Sequence, residues 1–139
     1  MATGNPRPEN DEILSRLREC LCVRPEVVMA YLFGSVARGD DRADSDIDVA
    51  VLIDIDHCAQ GDDPYGYRAA LLGDLLTCLN RNDVDLVLLN DAPGVLSHRV
   101  LRDGRLILCR DENRRVQFTE RVIRDYCDTA HLRALRAQY

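Results

Sequence analysis

Two stretches of this chain decide its fold: VVMAYLFGS, from Val27 to Ser35, and DIDVAVLI, from Asp46 to Ile53. Each contains a short run of apolar residues rich in β-branched or aromatic side chains, next to polar or glycine-containing sequence. This pattern is typical of buried strands, so we expect strands at Val27–Phe33 and Ile47–Ile53. The polar segment from Asp54 to Pro64 is expected to be a loop.

Apolar residues at helical spacing flank these two runs on both sides. They predict a first helix that is capped by Asn10 and ends before Pro25, and a second helix over Tyr65–Leu79. A third strand is expected at Val84–Leu89.

The rest of the chain predicts three more elements: a helix from Pro93 to Gly104, a strand over Arg105–Cys109, and a long helix from about Asn113 to Arg136. The connection after Phe33 is too short for a confident parallel crossover, so a mixed sheet is favoured over an all-parallel one. We therefore predict an α/β fold, with a mixed β-sheet of about four strands flanked by helices. The expected organisation is one domain over residues 1–139, with its core at about 27–110.

Composition limits the classes of function that need to be considered. The chain has 139 residues and a net charge of -6, so it lacks the positive field used in nonspecific nucleic-acid binding. We expect no direct nucleic-acid binding.

No apolar run approaches the roughly 20 residues that span a bilayer, and we expect a cytoplasmic protein without a membrane partner. Six cysteines without C-x-x-C spacing are expected to be buried free thiols.

The turn after the first strand is a candidate phosphate-binding site. Its sequence, Gly34-Ser35-Val36-Ala37-Arg38-Gly39, follows a strand and precedes an expected short helix. Glycines let backbone amides approach phosphate oxygens closely. Such turns are also common structural joints, and Arg38 is either a phosphate ligand or a solvated surface residue.

Three aspartates form the candidate metal site. Asp46 and Asp48 are two residues apart at the start of a strand, so both carboxylates are expected on one face. Asp85 interrupts an apolar run, and it joins them if its strand lies beside Ile47–Ile53. Hard oxygen ligands suit Mg²⁺. The alternatives are a solvated acidic strand start and an exposed residue on an edge strand.

A calcium-binding EF-hand loop is excluded, although Asp44, Asp46 and Asp48 reproduce its first three ligand positions. Val49 stands where that loop needs glycine, and Ile55 stands where it needs a bidentate glutamate.

The joint pattern of Gly34-Ser35, Asp46-x-Asp48 and Asp85 resembles the nucleotidyltransferases of the DNA polymerase β superfamily, and most closely their minimal nucleotidyltransferase (MNT) group. The resemblance covers roughly Val27 to Arg110. It implies that Asp46 and Asp48 hold two Mg²⁺ ions, that Asp85 completes the metal site and accepts the proton of the attacking hydroxyl, and that Gly34 and Ser35 bind the triphosphate of ATP.

Many MNT proteins are antitoxins that transfer AMP from ATP to a tyrosine of a HEPN-family ribonuclease toxin encoded beside them. The resemblance implies this activity and this partner, in a hetero-oligomer. A small-molecule nucleotidyltransferase and an antitoxin that acts by binding alone remain alternatives. The closing helix has two adjacent apolar stripes, which are either both core or partly a partner surface. One contains Val116, Ile123, Cys127 and Ala130, and the other contains Phe118, Val122 and Tyr126.

Overall fold

The computed structural model describes residues 8–34, 46–55 and 64–130. Within them the chain forms a four-stranded mixed sheet with helices on both faces. The strands are β1 (Val27–Phe33), β2 (Ile47–Ile53), β3 (Val84–Leu88) and β4 (Arg105–Cys109). The helices are α1 (Pro8–Cys22), α2 (Pro64–Leu79), α3 (Gly94–Asp103) and α4 (Glu112–Asp128).

The sheet order is β3-β2-β1-β4. β1 is antiparallel to both of its neighbours, whereas β2 and β3 are parallel and connected through α2. The prediction of a mixed α/β sheet is therefore confirmed. All seven residues of β1 are buried, as expected of a central strand covered on both faces.

Two apolar clusters divide the core between the faces of the sheet. One joins α1 and α2 to the sheet through residues such as Leu17, Leu75 and Val49. The other joins α3 and α4 through Val100 and Phe118. Helices thus cover both faces, which explains why the strands are near-continuous apolar runs.

The helix ends differ from the expectation at two places. Asn10 is not a cap, because α1 already begins at Pro8, and proline suits a helical first turn where its missing N–H costs no hydrogen bond. α4 starts at Glu112, after Asp111, whose carboxylate accepts a hydrogen bond from the Arg114 amide. Its described part ends at Asp128, and the expected continuation over 131–136 lies outside the described residues.

The five cysteines whose positions are described are free, as expected, but none is fully buried. Cys22 and Cys127 are exposed, and Cys20, Cys78 and Cys109 are half-buried. The prediction of buried thiols was therefore wrong; Cys20 and Cys109 only pack against the margins of the apolar clusters.

No helix in the described ranges has both the length and the apolar character that crossing a bilayer requires.

Candidate active site

The candidate site lies where β1 ends and β2 and β3 begin. The antiparallel register pairs Phe33 of β1 with Asp48 of β2, and the parallel register pairs Asp48 with Asp85 of β3. Asp48 is therefore flanked by Asp85 on one side and by the end of β1 on the other. The expected juxtaposition of β2 and β3 places the two carboxylate-bearing residues side by side.

The face on which these aspartates lie follows from their neighbours. Ala50 and Leu52 pack in the cluster formed with α3 and α4, and Val87 packs against the same cluster. Side chains two residues apart on a strand share a face, so Asp48 and Asp85 lie on the α3 and α4 side of the sheet.

The electrostatics of Asp48 show how closely the three acids are grouped. Burial raises the pKa of the Asp48 carboxyl, and the negative charges of Asp85 and Asp46 raise it further. Each of these effects disfavours the ionised form. A divalent cation would relieve the same repulsion, and carboxylate oxygens are the ligands that Mg²⁺ prefers.

The three carboxylates are thus suitable ligands for Mg²⁺, but the described side chains do not form a complete coordination site. Within residues 8–34, 46–55 and 64–130, no group of three or more His, Cys, Asp or Glu side chains is arranged to hold a metal ion. The three like charges repel one another, and Asp85 pairs with Arg68 instead, at 3.5 Å from Arg68 Nη2 to Asp85 Oδ1.

Gly34 closes the site on the β1 side. Its φ is +83°, in the left-handed region that favours glycine. A Cβ at this position would run into the Asp48 carboxylate, with Cγ only 3.2 Å away. The absence of a side chain at Gly34 is therefore what lets the chain pass directly beside Asp48.

The other predicted nucleotide ligands, Ser35 and Arg38, lie outside the described residues. The structure places Gly34, Asp46, Asp48 and Asp85 at one end of the sheet.

Arg68 was not foreseen from the sequence. It lies on α2, where its Nε donates a hydrogen bond of 2.9 Å to the Leu86 carbonyl while its Nη2 faces Asp85. Nothing in the sequence distinguishes Arg68 from the other arginines, because its contact with Asp85 depends on how α2 packs against β3. The pairing places the positive charge of Arg68 beside the Asp85 carboxylate.

Sequence comparisons with known proteins all match nucleotidyltransferases. The sequence profile of the family described as "Polymerase beta, Nucleotidyltransferase" matches residues 15–113. A "Protein adenylyltransferase MntA" from Shewanella oneidensis is 35% identical over 97 residues, which cover 68% of this chain and 61% of that protein. The protein of the same name from Aphanizomenon flos-aquae is 31% identical over 103 residues, covering 71% of this chain and 68% of the relative. The match thus spans less than two thirds of the Shewanella protein.

Two solved structures resemble the fold over most of its length. A toxin-antitoxin structure with AMP-PNP superposes with a TM-score of 0.72 at 29% identity, covering 90% of this chain and 96% of the other. The MNT antitoxin in complex with a tri-AMPylated Shewanella oneidensis HEPN toxin gives a TM-score of 0.68 at 27% identity, covering 93% and 97%.

Proposed function

We propose that this chain, which belongs to the polymerase beta nucleotidyltransferase family, is an antitoxin that transfers AMP from ATP to a tyrosine of a cognate HEPN ribonuclease toxin. The observation that carries the proposal is the register that sets Asp48 beside Asp85, next to Gly34, on one face of the sheet. The relatives named protein adenylyltransferase and the structural neighbours with AMP-PNP or an AMPylated HEPN toxin support the same reaction.

In the proposed reaction, the hydroxyl oxygen of the acceptor tyrosine forms a bond to the α-phosphorus of ATP. The bond between the α-phosphorus and the bridging oxygen to the β-phosphate breaks, and pyrophosphate leaves. Asp85 takes the hydroxyl proton, because its carboxylate is exposed, whereas Asp48 is partly buried, and because it lies on the outer strand of the sheet. The Gly34 turn, continued by Ser35 and Arg38, binds the triphosphate.

Two Mg²⁺ ions belong to this proposal, with Asp46, Asp48 and Asp85 as the residues that would hold them. When bound, they would neutralise phosphate charge and help position the reacting groups. The protein itself contributes a fixed pair of carboxylates on adjacent strands, of which Asp48 is partly buried. A cytoplasmic location belongs to the same proposal, as ATP is the donor.

The test is the intact mass of the partner encoded by the adjacent gene after incubation with this chain, ATP and Mg²⁺. We expect the partner to gain the mass of one or more adenylates. The double variant Asp46→Asn and Asp48→Asn should reduce the rate at least about a hundredfold, which corresponds to about 2.7 kcal/mol of transition-state stabilisation. The matched control is Asp128→Asn, an exposed aspartate on α4, which should transfer AMP at the wild-type rate.

Other outcomes would identify the alternatives. Unchanged transfer by the double variant would refute the assigned residues. Adenylation of a small molecule without any protein partner would favour a small-molecule transferase. Protection of cells from the toxin by the double variant would show neutralisation by binding alone.

A further inference from the structure

A cleft of about 340 Å³ opens beside the outer edge of β3. The proposed reaction assigns no role to this cleft. Its floor includes Val87, and its far wall is the start of α3, with Pro93 and Leu96. Arg68 lines it as well. The volume lies at the lower end of the range of small-molecule pockets, about 300–1,000 Å³.

The cleft adjoins the candidate active site through Arg68. Arg68, which lines it, is the same residue that pairs with Asp85 at 3.5 Å. Val87, on its floor, lies two residues after Asp85 on the same face of β3, a strand rise of about 6.6 Å. This separation is comparable with the length of a phenol side chain, so a tyrosine ring that lies over Val87 can bring its hydroxyl to Asp85.

The chemistry of the lining matches such a side chain. Most of the cleft wall is aliphatic, contributed by side chains such as Val87 and Leu96. Two charged residues also line it, Asp91 and Arg68, and Arg68 lies at the Asp85 end. Tyrosine has the same division, with an apolar ring and a polar tip that needs a hydrogen-bond partner when buried.

The geometry also argues against the addition of a partner strand to β3. The Arg68 Nε donates to the carbonyl of Leu86, in the middle of this five-residue edge strand. A charged side chain that occupies an edge carbonyl blocks strand pairing there. A partner therefore reaches Asp85 through a side chain that enters the cleft.

We propose that this cleft is the acceptor subsite, in which the ring of the partner's tyrosine packs between Val87 and Leu96 with its hydroxyl at Asp85. This inference rests on the proposed function and adds to it the residues that select the acceptor.

The experiment compares two neighbouring residues of α3 that receive the same substitution. Leu96 lines the cleft, whereas Val95 is 47% exposed and does not. Leu96→Arg should lower kcat/KM for AMP transfer to the protein partner at least about tenfold, mainly through KM, which equals about 1.4 kcal/mol of lost acceptor binding. Val95→Arg should stay within about twofold of wild type, since exposed substitutions of this kind have small effects.

Two further measurements separate loss of acceptor binding from loss of folding. The affinity for an ATP analogue and the thermal unfolding midpoint are measured on both arginine variants. Ala92→Leu, which adds volume to the cleft wall without a charge, is measured beside them. We expect Ala92→Leu to raise KM for the partner while nucleotide affinity stays unchanged in all three variants.

Wild-type transfer rates in both Leu96→Arg and Ala92→Leu would overturn the subsite while leaving the proposed function intact. A parallel fall in nucleotide affinity, or an equal loss in Val95→Arg, would also overturn it. If the wild-type chain transfers no AMP to its partner, the proposed function fails, and the subsite fails with it.

Discussion

Asp48 is the only residue of β2 that is not fully buried, and it lies between the other parts of the candidate site. It lies between Phe33 and Asp85 in the sheet register, and Gly34 passes beside its carboxylate. A partly buried carboxylate in a mainly apolar strand is costly unless it is paired or ligated. This cost is the physical reason to assign Asp48 a functional role.

The sequence could identify Asp48 and Asp85 but not Arg68. Both aspartates break apolar runs, and a charge within such a run is visible in the sequence alone. Arg68 is visible only in the folded chain, because its contacts with Asp85 and Leu86 join residues that are 17 and 18 positions apart.

Substitution of Gly34 tests the close approach at the residue scale. Gly34→Ala should lower the free energy of unfolding by about 1–2 kcal/mol from the left-handed backbone alone, and should displace the Asp48 carboxylate as well. The control is Gly73→Ala in α2, where an added Cβ meets nothing within 4 Å. It should stabilise the chain by about 0.5–1 kcal/mol, since alanine is the better helix former.

Urea unfolding of the two alanine variants, with ATP-analogue affinity as a second readout, provides the measurement. Equal stability of Gly34→Ala and wild type would show that the backbone at Gly34 does not need glycine.

At the scale of secondary-structure elements, strands were predicted more accurately than helix ends. β1, β2 and β4 have the predicted bounds. β1 and β2 lie in the middle of the sheet and are buried almost throughout, so their apolar runs mark their ends. Helix ends depend on local features: α1 begins at Pro8, before the expected cap Asn10, and Asp111 caps α4, which was expected to start at about Asn113.

Contacts between distant elements could not be predicted. Arg110, directly after β4, donates from Nη2 to the Cys22 carbonyl at 2.6 Å and from Nε to the Val27 carbonyl at 2.9 Å. It thus caps the end of α1 across more than eighty residues of sequence. Such a contact exists only after β4 has paired with β1.

The parallel pairing of β2 with β3 predicts a particular pH dependence of stability in the metal-free chain. Burial, then Asp85 and Asp46, raise the pKa of Asp48, so the ionised carboxylate opposes folding above that raised pKa. The destabilisation by the ionised Asp48 carboxylate disappears as the pH falls through the raised pKa toward the ordinary value of about 3.9. With a chelator present, Asp48→Asn should therefore be more stable than wild type near pH 7, and the difference should close in acid.

Asp83→Asn is the control of opposite sign. Hydrogen bonds from Arg81 lower the pKa of the Asp83 carboxyl, so this group stabilises the fold at neutral pH and stops doing so as the pH falls through its lowered pKa. Asp83→Asn should be less stable than wild type near pH 7. Chemical unfolding at several pH values measures both differences, and a less stable Asp48→Asn at neutral pH would contradict the assigned repulsion.

At the scale of the whole molecule, the two faces of the sheet have different roles. The face with α1 and α2 is a continuous apolar core. The opposite face carries Asp48 and Asp85 at the end where β2 and β3 begin, and the cleft beside Val87 and Leu96 opens next to them. Both faces thus support the sheet, and the face with α3 and α4 also carries the proposed nucleotide and acceptor sites.

α4 also leaves apolar surface exposed. Phe118 and Val122 are buried against the sheet, but Val116 is 42% exposed and Ile123 is 49% exposed. Of the two predicted stripes, only the one with Phe118 and Val122 belongs to the core. Hydrophobic periodicity identifies both stripes, but it does not say which of them faces the sheet.

In the proposed site, Asp46, Asp48 and Asp85 bind Mg²⁺, and the Gly34 turn binds the phosphates of ATP. The most direct test is a crystal structure of this chain with Mg²⁺ and a non-hydrolysable ATP analogue. We predict Mg²⁺ coordinated by the carboxylates of Asp46 and Asp48, with the triphosphate at the Gly34 turn. A triphosphate bound elsewhere, with no cation on these carboxylates, would contradict the account.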